Sequence, residues 1–309
     1  MQCCNRVSLL TLLALAVTVL CTAPAFAQDT DYRPGDRAPF SGIVCFGDSL
    51  SDTGNLFALT GYPPGPAYFE GRFSNGPVWI EYLAADMGVS SDRFHNYAYG
   101  GATTGRDNYT DLFIPPGGFP GVLDQIDAFD ADLDGRRADP RALYVVFAGS
   151  NDIFLATDPI QAVQQAMGNT ATAVQRLYAA GARRVLVVGL PDLGITPWGL
   201  ATDPVGLSGL SAAYNASLDF TLAQLAAAGM ETMRLDIATI AQQAAADPAA
   251  FGFVDVTTPA LYIGSNGDGF LYWDDVHPTT QGHAVFAESA MTVLRQRYPR
   301  VWSTPVGSQ

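Results

Sequence analysis

Five short runs rich in β-branched and aromatic residues, at positions 43–46, 94–98, 142–147, 184–189 and 233–237, punctuate the chain. Each is too short for a helix and reads as a buried strand. Between them lie longer segments, including 78–87, 159–180, 208–228 and 281–297, whose apolar residues recur at three- and four-residue spacing. That spacing gathers the apolar side chains on one face of a helix. Strands and helices in alternation predict an α/β fold, a parallel sheet covered by helices on both faces. In such folds the chemistry collects at the carboxyl ends of the strands, so the residues that follow each run matter most. Two further segments, 60–73 and 103–120, have no period and are rich in Gly, Pro and Tyr. Loops of this length in a compact domain wall or cover a pocket, or else pack as surface loops.

The beginning of the chain obeys a different pattern. One early charge, Arg6, precedes an apolar run from Val7 to Cys21, and small residues follow at Ala25 and Ala27. This is the layout of a secretory signal peptide cut after Ala27, and the run is too short and wrongly flanked for a membrane span. Leu20 stands where a lipoprotein signal carries a small residue, so cleavage is preferred to a lipid anchor at Cys21. The expected organisation is a removable signal over residues 1–27, a single domain over 28–309, and export to the periplasm or out of the cell. No repeat or Pro/Ser linker divides the remainder. Loss of the leader would leave Cys45 alone of the four cysteines, which excludes an internal disulfide. Its place inside the first run predicts a buried small hydrophobe.

With 309 residues, 48% hydrophobic and 15% charged, the chain can bury a large core and is not disordered. Its net charge of −14 disfavours nucleic acid and anionic membranes as partners, and every basic residue is arginine.

The chemistry begins with Phe46-Gly-Asp-Ser-Leu-Ser-Asp-Thr-Gly-Asn55, which places Ser49 at the carboxyl end of the first run. Alone, this reads equally well as a turn feeding a helix cap. Near the other end, in Trp273-Asp-Asp-Val-His-Pro278, Asp274 precedes His277 by three residues. A serine hydroxyl is a weak nucleophile until a neutral imidazole takes its proton, and the imidazole needs a carboxylate to fix its tautomer and balance its cation. Asp275 adjoins Asp274, and spacing alone does not choose between them. After the third run, Asn151 in Phe147-Ala-Gly-Ser-Asn-Asp152 offers a side-chain amide to an oxyanion. After the second, the glycines of Asn96-Tyr-Ala-Tyr-Gly-Gly-Ala102 let backbone N–H groups approach a ligand closely.

In this order the four blocks resemble those of the GDSL esterase/lipase family, also called SGNH hydrolases, from Ile43 to the last helical segment. The resemblance implies a three-layer α/β/α sandwich on a mostly parallel five-stranded sheet of flavodoxin-like order. It implies hydrolysis of carboxylic esters with no metal or organic cofactor. Carried over residue by residue, it makes Ser49 the nucleophile, His277 the general base and Asp274 its partner. The oxyanion hole it implies combines the N–H groups of Ser49 and Gly101 with the Asn151 amide. The stretch Gly71-Arg-Phe-Ser-Asn-Gly-Pro-Val-Trp79 resembles the branch that includes plant-type lipases and bacterial phospholipase-like members. Ser150 departs mildly from the Gly or Ala that often precedes this Asn. No alternating strands follow the last helical segment, so the outer-membrane barrel of some relatives is not expected.

Lipid, aryl, choline and acetylated-sugar esters all suit this chemistry. The acidity, together with Tyr62, Tyr68, Phe69, Phe73 and Tyr109, raises a cationic ester among them. Acyl transfer, or phospholipase-type activity, by the same groups is the alternative. A silent lipid- or glycan-binding module is a third reading, which the retention of all five chemical groups argues against. His95 and His283 are expected as packed or surface residues. Asp130-Ala-Asp-Leu-Asp-Gly135 imitates the start of a calcium loop but meets Arg141 at its twelfth position, so a solvated turn is expected. No Gly-x-Ser-x-Gly elbow occurs, which argues against an α/β-hydrolase.

Overall fold

The computed structural model describes residues 40–299, so the expected signal sequence and its cleavage at Ala27 lie outside the described residues. Five strands, β1 (Ile43–Gly47), β2 (Phe94–Asn96), β3 (Leu143–Phe147), β4 (Arg184–Val188) and β5 (Thr232–Leu235), form one sheet in the order β2-β1-β3-β4-β5. Every neighbouring pair is parallel, and the order is the flavodoxin-like one. The α-helices among the described residues are α1 (Asn55–Thr60), α2 (Trp79–Asp86), α3 (Val122–Leu133), α4 (Ser150–Leu155), α5 (Pro159–Ala180), α6 (Pro197–Thr202), α7 (Pro204–Ala227), α8 (Ile237–Ala246) and α9 (Thr280–Arg297).

Alternate residues of a strand face opposite sides of a sheet, and the core divides accordingly. Val44, Phe46, Tyr144, Val146, Val185 and Val187 pack with α3, α5 and α7. Ile43, Cys45, Leu143, Val145, Leu186 and Val188 pack with α2 and α9 on the other face. The result is the expected three-layer α/β/α sandwich. Cys45 is fully buried and reduced, and burial pushes its thiol up to about 12, so it behaves as a small hydrophobe.

Two differences from the sequence reading trace to capping. The Asp236 carboxylate accepts from the Thr239 N–H and caps α8, so Ile237 opens a helix instead of closing a strand. Asp203 caps α7 in the same way, with Pro204 in the first turn, so the helix starts before its apolar period becomes regular. The solvated turn expected over 130–135 is confined to Asp134 and Gly135, because α3 runs through to Leu133. Asp130 pairs there with Arg176, and Asp132 accepts from the Tyr97 hydroxyl.

One buried side chain fixes the end of β1. Gln125 of α3 accepts from the Gly47 N–H and donates to the Gly47 carbonyl, both at 2.8 Å. Gln125→Leu fills the space but leaves that N–H without a partner, so it should lower stability by about 1–3 kcal/mol. Urea unfolding followed by circular dichroism measures this, and an unchanged midpoint would contradict the assignment.

Candidate active site

The sheet order reverses at β1: the chain crosses from β1 to β2 on one side, then to β3 on the other. A crevice opens at such a switch point beyond the carboxyl ends of the strands. Ser49 follows β1 and Asn151 follows β3, so the two flank it. The turn at Ser49 is held by Asp48, whose carboxylate accepts from the Leu50 N–H and whose carbonyl accepts from Ser51 and Asp52. Asp52 in turn accepts from the N–H groups of Gly54, Asn55, Leu56 and Gly100, tying this turn to the loop after β2.

His277 arrives from the far end of the chain. One oxygen of Asp274 accepts from the backbone N–H of Val276 at 3.0 Å and of His277 at 2.8 Å, a turn that the three-residue spacing makes possible. The same carboxylate meets the imidazole Nδ1 at 2.8 and 2.9 Å. On the other side of the ring, Nε2 lies 2.8 Å from Ser49 Oγ across 228 residues of sequence. Asp275 takes no part: it is exposed and accepts from the Tyr262 hydroxyl.

Residues 71–79 brace both partners. Ser74 Oγ donates to the Pro278 carbonyl at 2.9 Å, and Asn75 Oδ1 accepts from the Thr280 N–H at 2.8 Å. The Phe73 ring lies 5.0 Å from the imidazole, and the Trp79 indole donates to Ser51 Oγ beside the serine turn. At the start of α4, after β3, Asn151 Nδ2 donates one hydrogen to the Ala102 carbonyl at 3.0 Å, which leaves its second hydrogen for another acceptor. Gly101 has a φ of 79°, and a Cβ there would lie 2.3 Å from Asn108 Oδ1, so only glycine fits. Among the described residues the N–H groups of Ser49 and Gly101 have no hydrogen-bond partner, whereas that of Gly100 is taken by Asp52.

The profile of the family described as GDSL-like Lipase/Acylhydrolase matches residues 43–290. The chain belongs to this family. It is accordingly a carboxylic ester hydrolase by class. A phosphatidylcholine-sterol acyltransferase from Aeromonas hydrophila is 31% identical, over 88% of this chain and 94% of its own length. Esterase EstA from Pseudomonas aeruginosa is 30% identical over 92% of this chain and 51% of its own length. The secreted effector protein SseJ from Salmonella typhimurium is 28% identical over 68% and 52%. The chain spans about half the length of the last two.

Around this GDSL site the two irregular segments supply aromatic rings. The Tyr68 hydroxyl donates to Asp274 Oδ2 at 2.9 Å, a contact that no local signal announces because 206 residues separate the two. From Phe73 a chain of edge-on rings runs through Tyr62, Phe113, Tyr109 and Phe154 to Trp198, with neighbouring centroids 5.0 to 6.0 Å apart. Phe69 does not join it and stacks instead on the Arg72 guanidinium.

Burial pushes Asp274 upward, but the His277 charge and three hydrogen bonds more than offset this and hold it below the usual carboxylate range. Burial pushes His277 downward, and Asp274 reverses the sign, so the imidazole sits above its ordinary value. Asp48, buried beneath Ser49, is pushed up to about 7 by burial. The other two histidines stand apart: His95 is exposed in β2, and His283 is buried in α9 and pushed down to about 3 by burial. Among the described residues no cluster of His, Cys, Asp or Glu is arranged to hold a metal ion, and no helix is long and apolar enough to cross a membrane.

With three histidines in the chain, ring-labelled protein resolves each titration by NMR. His277 should titrate above 6.5, and Tyr68→Phe should move it further up, because removing the donor leaves more negative charge on Asp274 to hold the imidazolium. A His277 midpoint below 6.5, or one that Tyr68→Phe leaves in place, would contradict this electrostatic picture.

Proposed function

We propose that this chain hydrolyses carboxylic esters through an acyl-enzyme on Ser49, acting as a single domain over residues 28–309 after export and removal of the leader. The observation that carries the reading is the unbroken hydrogen-bonded line from Ser49 Oγ through His277 to Asp274. In this mechanism Ser49 Oγ attacks the ester carbonyl while His277 Nε2 takes its proton and then passes it to the leaving alcohol. Asp274 holds the imidazole with Nδ1 as the donor and stabilises the cation that forms. Charge that develops on the carbonyl oxygen is met by the Ser49 and Gly101 N–H groups and the spare hydrogen of Asn151, whose orientations are set before substrate arrives. Water, activated by the same histidine, then releases the acid.

A second reading is acyl transfer to an alcohol, favoured by the similarity to a protein named as a phosphatidylcholine-sterol acyltransferase. The two share one intermediate and differ in which hydroxyl attacks it. Export is supported by the leader pattern before Gln28 and by the similarity to an effector described as secreted. Lipid, aryl, choline and acetylated-sugar esters are the substrate classes to screen.

Ser49→Ala and His277→Ala should each lower kcat by at least about three orders of magnitude with an unchanged far-UV spectrum, because the two act as one unit. A fluorophosphonate should label Ser49 in the wild type, and labelling at another serine would sink the mechanism. Asn151→Ala should lower kcat by about 10²–10³-fold with little change in KM, since its amide helps most once the oxyanion forms. A change confined to KM would make Asn151 a substrate-binding residue instead.

A further inference from the structure

The chain of aromatic rings ends at an apolar groove. Pro159 at the start of α5, Trp198 of α6, and Leu207, Gly209, Leu210 and Ala213 of α7 line most of it, with Thr202, Gly206 and the α7 cap Asp203 at one end, and its volume of about 640 Å³ suits an organic ligand. Two features of α7 set this face apart. Between Pro204 and Ala213 the helix carries no charged residue, and the one acid that lines the groove, Asp203, is turned to the Gly206 N–H as the helix cap. Glycine in a helix interior is destabilising, yet Gly209 stands there exposed, and a Cβ added to it would meet nothing within 4 Å. The space above it is open to whatever enters the groove. Exposed apolar side chains, Ile160, Leu200 and Val205, stand on the same three helices.

The groove adjoins the site. Asn151 and Phe154 are one turn apart on α4, and the Phe154 ring meets Trp198 edge-on at 5.0 Å. The Trp198 N–H donates to the Asp275 carbonyl at 2.9 Å, which fixes Trp198 between the Asp274–His277 turn and the groove. We propose that the groove takes the acyl part of the ester, as a straight aliphatic chain running from Ser49 past Phe154 and Trp198. This rests on the ester-hydrolase reading above. The side of the site follows from the chemistry. His277 protonates the leaving alcohol, so the alcohol belongs beside Phe73 and Tyr62, against the imidazole. The carbonyl oxygen belongs with Asn151, and the acyl chain leaves on the Phe154 side.

The test is kcat/KM for p-nitrophenyl butyrate and dodecanoate at monomeric concentrations, with butyl and dodecyl acetate as the alcohol-side pair. Each methylene buried should raise kcat/KM by up to about fourfold, so the wild type should favour dodecanoate over butyrate. Gly209→Leu and, one turn on, Ala213→Phe fill the groove, and each should lower the dodecanoate-to-butyrate ratio at least about tenfold. The dodecyl-to-butyl acetate ratio should stay as it is. Gly168→Leu, a glycine in α5 that also has open space around it, controls for the change of residue and should leave both ratios unchanged. Fillers that leave the acyl ratio untouched, or a wild type indifferent to acyl length, would overturn the assignment. A loss confined to the dodecyl acetate ratio would put the alcohol in the groove and overturn it equally. A wild type that turns over neither butyrate nor acetate would instead remove the ester-hydrolase reading itself, and the groove assignment with it.

Discussion

A hydroxyl and an imidazole 228 residues apart lie 2.8 Å from each other, and much of the surrounding structure holds them there. Neither lies in a strand or helix, so sheet hydrogen bonds do not fix them. The serine turn is tied down by two buried carboxylates, Asp48 and Asp52, which bond almost entirely to backbone N–H groups. The histidine turn has its own carboxylate, Asp274, which is engaged in local backbone bonds and the imidazole at once. Residues 71–79 join the two turns, with Trp79 on the serine side and Ser74 and Asn75 on the histidine side. A carboxylate buried with several N–H partners is strongly oriented, because losing any one of them leaves an unpaired polar group.

This arrangement explains why the motifs have their lengths. Asp-x-x-His lets one carboxylate close a turn and reach the ring that the turn presents. Gly100 and Gly101 split two tasks: the first gives its N–H to Asp52, and the second keeps its N–H free at a backbone angle that a side chain would obstruct. The Gly71–Trp79 stretch, read in the sequence as a branch signature, turns out to brace the histidine turn and the serine turn together. Its Gly76 packs so close to Thr280 that a Cβ would lie 2.7 Å from that side chain.

The inner strands were legible because parallel strands covered on both faces are largely apolar, and runs such as 143–147 leave little choice. The α5 boundaries were legible as well, since Asp158 caps it, Pro159 opens it and Gly181 closes it. The start of α7 was not, because Gly206 and Gly209 weaken the helical signal where the Asp203 cap decides it. Ser49, Asn151 and His277 could be singled out because each sits in a short motif at a strand end or before a helix, whereas picking Gly101 from the Gly100–Gly101 pair needed family position. Choosing Asp274 over Asp275 needed family position in the sequence, and in the structure it follows from the backbone turn that Asp274 closes. Tyr68 had no such mark: it was one aromatic residue in a Gly/Pro-rich loop, and its partner is distant in sequence. Long-range pairs between a loop and a turn leave no periodic trace.

The sheet ends in strands of only three residues, β2, and four residues, β5. An outer strand offers unpaired N–H and C=O groups to any other extended chain, and the number offered scales with its length. Among the described residues both rims are short, while the longer apolar strands β1, β3 and β4 lie inside. Crowded or concentrated protein should therefore be protected from fibre-like stacking by the proportions of its sheet, without relying on charge repulsion that salt would screen.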